Sequence, residues 1–150
     1  HEEKLTNSVI KLYEENKDLI KSIKSLNESV NRYKLKEFIN SSEQKNNINI
    51  ISKILYDEDP KNLRFLVSKL LENKQTAVIV ILILGNKCNL IIGKSKDLDL
   101  NIKNIFNECA SLINAKGGGN DLIMQGGGND VYKANECINK GVEMFEKMSN

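Results

Sequence analysis

The sequence predicts an α/β protein in which a mixed β-sheet is layered with helices and preceded by a long N-terminal helix of coiled-coil type. Three observations predict this fold class. A heptad repeat of apolar residues opens the chain, β-branched runs then alternate with amphipathic segments, and a glycine-rich stretch precedes the last amphipathic segment. The chain has 150 residues, enough for one globular domain and an extension.

The N-terminal segment repeats apolar residues at alternating spacings of three and four. β-Branched residues at a positions and Leu at d positions are typical of a two-stranded coiled coil, in which a buried Asn at an a position fixes the register. The predicted oligomerisation residues are Leu5, Val9, Leu12, Asn16, Leu19, Ile23, Leu26 and Val30. We expect this helix to form a homodimer or to pair with a helix upstream in the chain. Leu35, Phe38 and Ile39 leave the heptad frame, so the last turns are expected to dock on the globular part.

A polar stretch then divides the chain. Residues 40–47 are rich in Asn, Ser, Glu and Gln, which predicts a linker. The expected domains are therefore a heptad helix with its linker, residues 1–47, and a glycine-rich α/β domain, residues 48–150.

The globular part begins with strand signals. Residues 48–56 are β-branched and partly alternating, which predicts a strand. Asp59 as N-cap and Pro60 at the first helical position predict a helix start. Residues 76–84, in which Thr and Ala precede a continuous run of Val, Ile and Leu, predict a central strand covered on both faces. Residues 89–93 are expected to complete an antiparallel hairpin with it.

Two further helices follow in this prediction. One has an apolar face from Ile102 to Ile113, and the last begins after Asp130. Cys109 and Cys137 lie on or beside these apolar faces and are expected to be core residues. With Cys88 they make an odd number at wide spacing, which matches neither a disulfide framework nor a zinc site and favours a reducing cytoplasm.

Composition excludes several function classes. A formal net charge of +2 excludes a strongly basic protein that coats phosphates, and 5% aromatic residues are too few to hold nucleic acid mainly by stacking. The longest apolar run, residues 77–84, has eight residues, so no membrane partner is expected. His1 is the one histidine, which leaves nucleophilic catalysis without a placed base, and no catalytic residue is predicted.

The most informative segment is residues 116–130, which holds six of the nine glycines in two triplets. Glycine permits positive φ and close approach of a ligand, and consecutive amides can form an anion-binding nest. We expect both triplets to be turns that frame a short apolar strand and present their amides at one edge of the sheet.

These motifs resemble a known family. The matching residues are Gly117, Gly118 and Gly119, then Gln125 followed by Gly126, Gly127 and Gly128, with residues 79–84 and 90–96 at the expected distance upstream. They are similar to the DHH-associated domain at the C-terminus of alanyl-tRNA synthetases and free-standing alanyl-tRNA editing proteins. The resemblance covers about residues 48–148, and the heptad helix is similar to the long helical arm that precedes this module in the family.

The resemblance implies a tRNA-binding and oligomerisation module of a cytoplasmic protein, with alanine-specific tRNA as its partner. It implies no activity for this chain alone and a parent that is an alanyl-tRNA editing hydrolase or an alanyl-tRNA ligase. No cofactor is expected here, because the zinc of the family belongs to the preceding editing domain.

The predicted nucleic-acid-binding residues follow from the glycine segment and this resemblance. Phosphate contacts are assigned to Lys94, Lys96 and Lys116, backbone amides to Gly117, Gly118, Gly119, Gly126, Gly127 and Gly128, and reading of a base or 2′-hydroxyl to Asn120 and Gln125. Two alternatives stay open: a purely structural dimerisation module, and a phosphate-binding domain of a DHH-type phosphoesterase.

Overall fold

The structure is a computed structural model that describes residues 2–148, in two compact units divided between Lys36 and Glu37. The elements in chain order are α1 (Glu2–Asn40), β1 (Glu43–Lys45), β2 (Ile48–Tyr56), α2 (Pro60–Leu70), β3 (Thr76–Leu84), β4 (Lys87–Lys94), α3 (Ile102–Leu112), β5 (Lys116–Gly119), β6 (Ile123–Gly128), a 3-10 turn (Val131–Lys133) and α4 (Ala134–Met148). The predicted mixed α/β fold with a long N-terminal helix is confirmed.

The six strands form one mixed sheet in the order β1-β2-β3-β4-β6-β5. β2 and β3 are parallel, and every other neighbouring pair is antiparallel. The predicted strand over residues 76–84 is β3, and its first seven residues are buried because both faces of the sheet are covered there. The predicted hairpin of β3 with the next strand is also confirmed.

Helices cover the two faces of the sheet. Alternate residues of a strand point to opposite faces, so Ile79 and Ile81 of β3 pack in one core with α3 and α4, and Val78 and Val80 face the side of α2. α4 lies so close to β3 that a Cβ at Gly141 would overlap Ile79. The sheet is therefore the middle of three layers.

The helix α2 begins with the predicted cap, whereas α4 begins later than predicted. Asp59 Oδ1 accepts a hydrogen bond of 3.1 Å from the Lys61 N–H, and Pro60 is the first helical residue. α4 does not begin directly after Asp130, whose side chain makes no cap bond. The Lys133 N–H donates instead to the Asp130 carbonyl at 3.4 Å, an i to i+3 bond that forms a 3-10 turn before the helix.

The predicted linker contains a strand. β1 and β2 form a hairpin whose two turn residues, Asn46 and Asn47, have φ of 52° and 65°. Asparagine tolerates this left-handed conformation, which a two-residue hairpin turn requires. The Asn46 Nδ2 donates to the Glu146 carbonyl at 3.1 Å and the Lys45 ammonium pairs with the Glu146 carboxylate at 2.6 Å, so this segment is anchored to α4.

The last turn of α1 belongs to the second unit and meets the prediction of docking in part. Phe38 is 5% exposed, with the Lys53 ammonium 5.9 Å from its ring centroid. Ile39 is 46% exposed and is not a core residue. Phe38 therefore anchors the last helical turn.

The three cysteines are free and buried, as predicted for Cys109 and Cys137. The Cys137 thiol donates to the Cys109 carbonyl at 3.2 Å. Hydrogen bonding to Cys109 and burial raise the pKa of Cys137, and burial raises the pKa of Cys88. These thiols are therefore packing groups. Within residues 2–148, no helix is both long and apolar enough to cross a bilayer.

Candidate functional site

The two glycine triplets lie in strands, not in the predicted turns. Gly117 to Gly119 belong to β5, Gly126 to Gly128 end β6, and the turn between them contains Asn120. The prediction was wrong because it assigned the glycines to positive φ, which Gly85 alone among the described glycines has. Their role is close approach of backbones within a hairpin.

Steric contacts require glycine at two positions of β5. A Cβ on Gly117 would overlap the Gln125 carbonyl oxygen, and one on Gly119 would overlap the Ile123 carbonyl oxygen. A Cβ on Gly118 would meet no atom within 4 Å. The hairpin therefore depends on Gly117 and Gly119 and tolerates a side chain at Gly118.

β5 has an open outer edge. The Asn120 N–H donates to the Ile123 carbonyl at 2.9 Å, and the register pairs Gly118 with Gln125. Because bonded and non-bonded pairs alternate along an antiparallel ladder, the N–H and C=O groups of Gly117 and Gly119 face away from β6. The exposed edge therefore offers alternate amides in place of the predicted nest of consecutive ones.

Asn120 stabilises the turn of this hairpin. Its Oδ1 accepts hydrogen bonds from the N–H groups of Leu122 and Ile123 at 2.8 and 2.9 Å. The carbonyl side of the amide is therefore engaged, and the Nδ2 amino group is the part that can donate to a ligand.

A cavity of about 620 Å³ opens beside this turn, and we call it the basic cavity. It brings together the predicted residues Lys94, Lys96 and Asn120. The remaining lining residues are Arg64, Ser68, Leu71, Glu72, Asn73, Lys74, Ser95, Asp97, Leu122 and Ile123. Four cations thus share the wall with two carboxylates.

Arg64 and Lys74 are members of this site that sequence reasoning missed. The Arg64 Nη1 donates to Gln125 Oε1 at 3.1 Å, although the two residues are 61 positions apart. Gln125 therefore holds the guanidinium at the cavity wall and is itself engaged. The sequence offered one signal: Arg64 is one of two arginines, whereas the other residues counted as Lys and Arg are lysines.

Two charged side chains in the basic cavity, those of Lys94 and Asp97, form hydrogen bonds with the backbone. Lys94 Nζ donates to the Leu98 carbonyl at 2.7 Å, which leaves it two donors. Asp97 Oδ2 accepts from the Gln75 N–H at 2.9 Å. The Ser95 hydrogen bond, followed by the Gln75 N–H, holds the pKa of Asp97 below its ordinary value.

Acid is expected to weaken the fold through Asp97. Because its pKa is lower in the folded chain, its stabilisation is complete above the unfolded value of about 3.9 and is lost as pH falls through the folded value. We expect the urea midpoint of Asp97→Asn to change less with pH below about 4 than that of the native chain. Equal slopes in the two proteins would contradict this role.

The other predicted residues lie outside the basic cavity. Lys116 and Gly117 line a cavity of about 310 Å³ against α3. Gly127 and Gly128 line one of about 450 Å³, which we call the asparagine cavity; its remaining lining residues are Leu84, Lys87, Cys88, Asn89, Asn114 and Asn129. The hairpin thus connects three surface sites.

The heptad residues of α1 are exposed. Their exposed fractions include 61% for Leu5, 65% for Val9, 64% for Leu12, 57% for Ile23 and 49% for Val30. Asn16 is also exposed. The heptad residues therefore form an exposed apolar stripe. Among the described side chains, no group of three or more His, Cys, Asp or Glu is placed to hold a metal ion.

Comparison with known proteins relates this geometry to a family. The profile of the DHHA1 domain matches residues 47–148. The alanine–tRNA ligase of Hydrogenovibrio crunogenus is 30% identical over 133 residues, which are 87% of this chain and 15% of that protein. The same enzyme of Clostridioides difficile is 27% identical over 149 residues, 97% of this chain and 17% of that protein. The chain thus spans about one sixth of the length of these relatives.

Solved structures show the same fold. The C-Ala domain of Aquifex aeolicus alanyl-tRNA synthetase is 25% identical with a TM-score of 0.63, and the match covers 73% of this chain and 99% of that domain. RecJ of Thermus thermophilus is 12% identical with a TM-score of 0.51, over 78% of this chain and 17% of RecJ. RecJ therefore shares the fold alone.

Proposed function

The chain belongs to the DHHA1 domain family, and we propose that it is the C-terminal tRNA-binding and oligomerisation module of an alanyl-tRNA synthetase or an alanyl-tRNA editing protein. The names of its relatives and the near-complete coverage of the C-Ala domain support this proposal. The chain covers about one sixth of those relatives, and in this proposal the activity belongs to the parent protein.

One observation carries the proposal: the β5–β6 hairpin supplies both the open edge of β5 and part of the wall of the basic cavity. Gly117 and Gly119 supply outward amides, and the cavity adds the cations of Arg64, Lys94 and Lys96. Phosphate oxygens accept from backbone N–H groups and from cationic side chains, so the pair of features matches an RNA backbone. The four cations that line the cavity outnumber its two carboxylates, so the lining has a net positive charge.

The remaining predicted residues have supporting roles. Lys116 extends the positive charge to the start of β5, and Gly127 and Gly128 keep the end of β6 free of side chains. The Asn120 Nδ2 donates to a base or a 2′-hydroxyl, and Gln125 acts by holding Arg64.

The second part of the function is subunit association through α1. Its exposed a and d residues form an apolar stripe whose burial requires another helix. The partner is a second copy or an upstream helix of the parent. A purely structural module that pairs protomers is the alternative that this stripe favours.

We assign the catalytic activity to the rest of the parent protein. In this proposal the chain has no activity of its own, the parent acts in the cytoplasm as a ligase or an editing hydrolase, and any zinc lies in the editing domain. A phosphate-binding domain of a DHH-type phosphoesterase is less well supported, because RecJ shares 12% identity.

Binding of alanine-accepting tRNA tests the RNA part. In filter-binding titrations at several salt concentrations, we expect saturable binding at low salt, and about tenfold weaker binding for Lys96→Glu, Arg64→Glu and Lys116→Glu. Each lost phosphate contact should reduce the slope of log K against log salt by about 1. Lys140→Glu on α4 makes the same charge change away from the hairpin and is expected to bind as the native chain does.

Two outcomes would contradict the proposal. One is no saturable binding by the native chain at low salt. The other is equal weakening by Lys140→Glu and the three hairpin variants, which would show that only net charge matters.

A further inference from the structure

Tyr132 is an aromatic residue whose side chain lies outside the hydrophobic core. It is 95% exposed, more than any other large apolar residue among those described, and it lies in the 3-10 turn that begins three residues after the end of β6. The Asp130 N–H fixes the start of this segment by donating to the Ile113 carbonyl at 3.2 Å. An exposed phenol on a fixed turn presents a flat apolar surface to solvent.

The asparagine cavity lies next to this turn. Asn129 lines the cavity and precedes Tyr132 by three residues, a distance of at most about 11 Å along the chain. Asn114 Nδ2 donates to Asn129 Oδ1 at 3.2 Å, which orients Asn129 and leaves its amino group as a donor. Asn89 adds a third carboxamide and Lys87 a cation.

We propose that Tyr132 stacks on an unpaired base of the bound RNA while the asparagine cavity binds the ribose or the base edge of that part of the strand. The inference rests on the proposed function and adds a second contact site at the other end of the hairpin. Aromatic rings stack on every base, and carboxamides donate to and accept from base edges and 2′-hydroxyls. Lys87 supplies the adjacent phosphate contact.

This assignment is compatible with the low aromatic content. Five per cent aromatic residues exclude a surface that binds mainly by stacking, but they do not exclude one platform beside a charged surface. Stacking contributes no counterion release, so its loss lowers affinity without changing the dependence on salt.

The test is a titration of alanine-accepting tRNA with the native chain and single variants. We expect Tyr132→Ala to raise Kd by about 5- to 150-fold with an unchanged salt slope, and Tyr132→Phe to retain affinity because the ring remains. Asn89→Ala is expected to raise Kd by about 2- to 10-fold. Tyr56→Ala removes a tyrosine that is 65% exposed on β2 and serves as the matched control.

Outcomes separate this inference from the proposed function. If the native chain binds tRNA and Tyr132→Ala binds equally well, or if Tyr56→Ala weakens binding as much, base stacking by Tyr132 is overturned and RNA binding stands. If the native chain does not bind, both fail. A duplex RNA without unpaired nucleotides should bind Tyr132→Ala and the native chain alike, and a loss there would also overturn the assignment.

Discussion

A single methyl group on Gly117 or Gly119 is expected to separate β5 from β6, whereas the same group on Gly118 is expected to be tolerated. A Cβ at Gly117 or Gly119 overlaps a carbonyl oxygen of β6. Backbone atoms cannot avoid this overlap by a rotamer change, as a side chain could. Overpacking of this kind costs about 1–3 kcal/mol, and more where the chain cannot shift. At Gly118 the space is open, so the change should lie within about 0.5 kcal/mol.

Amide hydrogen exchange measures this difference directly. Gly118 and Gln125 are partners in the ladder, and their exchange should accelerate by about 5- to 150-fold in Gly117→Ala and Gly119→Ala. Binding of tRNA should weaken in the same two variants, because the amides at the open edge lose their fixed spacing.

The Gly118→Ala variant is the control for backbone entropy, since it makes the same residue change in the same strand. Equal exchange rates in all three variants would refute the steric role of Gly117 and Gly119. Loss of tRNA binding in Gly118→Ala with an intact hairpin would instead indicate a direct ligand contact at that residue.

Replacing Leu12, Leu19 and Leu26 by Gln is expected to convert a dimer of the chain into monomers. Each leucine is more than 60% exposed in the single chain, and burial of one such side chain contributes about 2 kcal/mol. Six leucines in a dimer therefore contribute about 12 kcal/mol. This exceeds the roughly 8 kcal/mol of a micromolar complex, so association should fall below detection.

Sedimentation of the native and variant chains checks this result. A control in which Lys11, Lys17 and Lys24 are replaced by Gln changes the opposite, polar face of α1 and should remain dimeric. A triple leucine variant that stays dimeric would rule out the heptad stripe as the interface. A native chain that sediments as a monomer would contradict self-pairing and leave an upstream helix as the partner.

Much of the fold followed from local patterns. The bounds of β2 and β3, the start of α2 at Pro60 and the hairpin of β3 with β4 were predicted, because alternation, continuous β-branched runs and cap residues act over a few neighbours. The strand β1 was missed because Glu43 to Lys45 is polar. It forms through pairing with β2 and a turn of two asparagines with positive φ.

The candidate site was predicted less completely. The glycine segment was identified, but its triplets were assigned to turns, since composition alone does not distinguish glycine needed for positive φ from glycine needed for close approach. Arg64 was missed because it reaches Gln125 from a helix 61 residues earlier. No local sequence pattern pointed to Tyr132, because the exposure of its side chain depends on the tertiary structure around it.

Residue pattern alone was enough to identify the fold class, most of the strands, the apolar stripe of α1 and the segment on which the proposed function depends. These features arise from interactions between near neighbours in the chain, which leave a period or a cap that can be read directly. The grouping of Lys94, Lys96, Asn120 and Arg64 at one cavity, and the open edge of β5, depended on the folded sheet. Both arise from contacts between residues far apart in the chain, whose geometry no local pattern records.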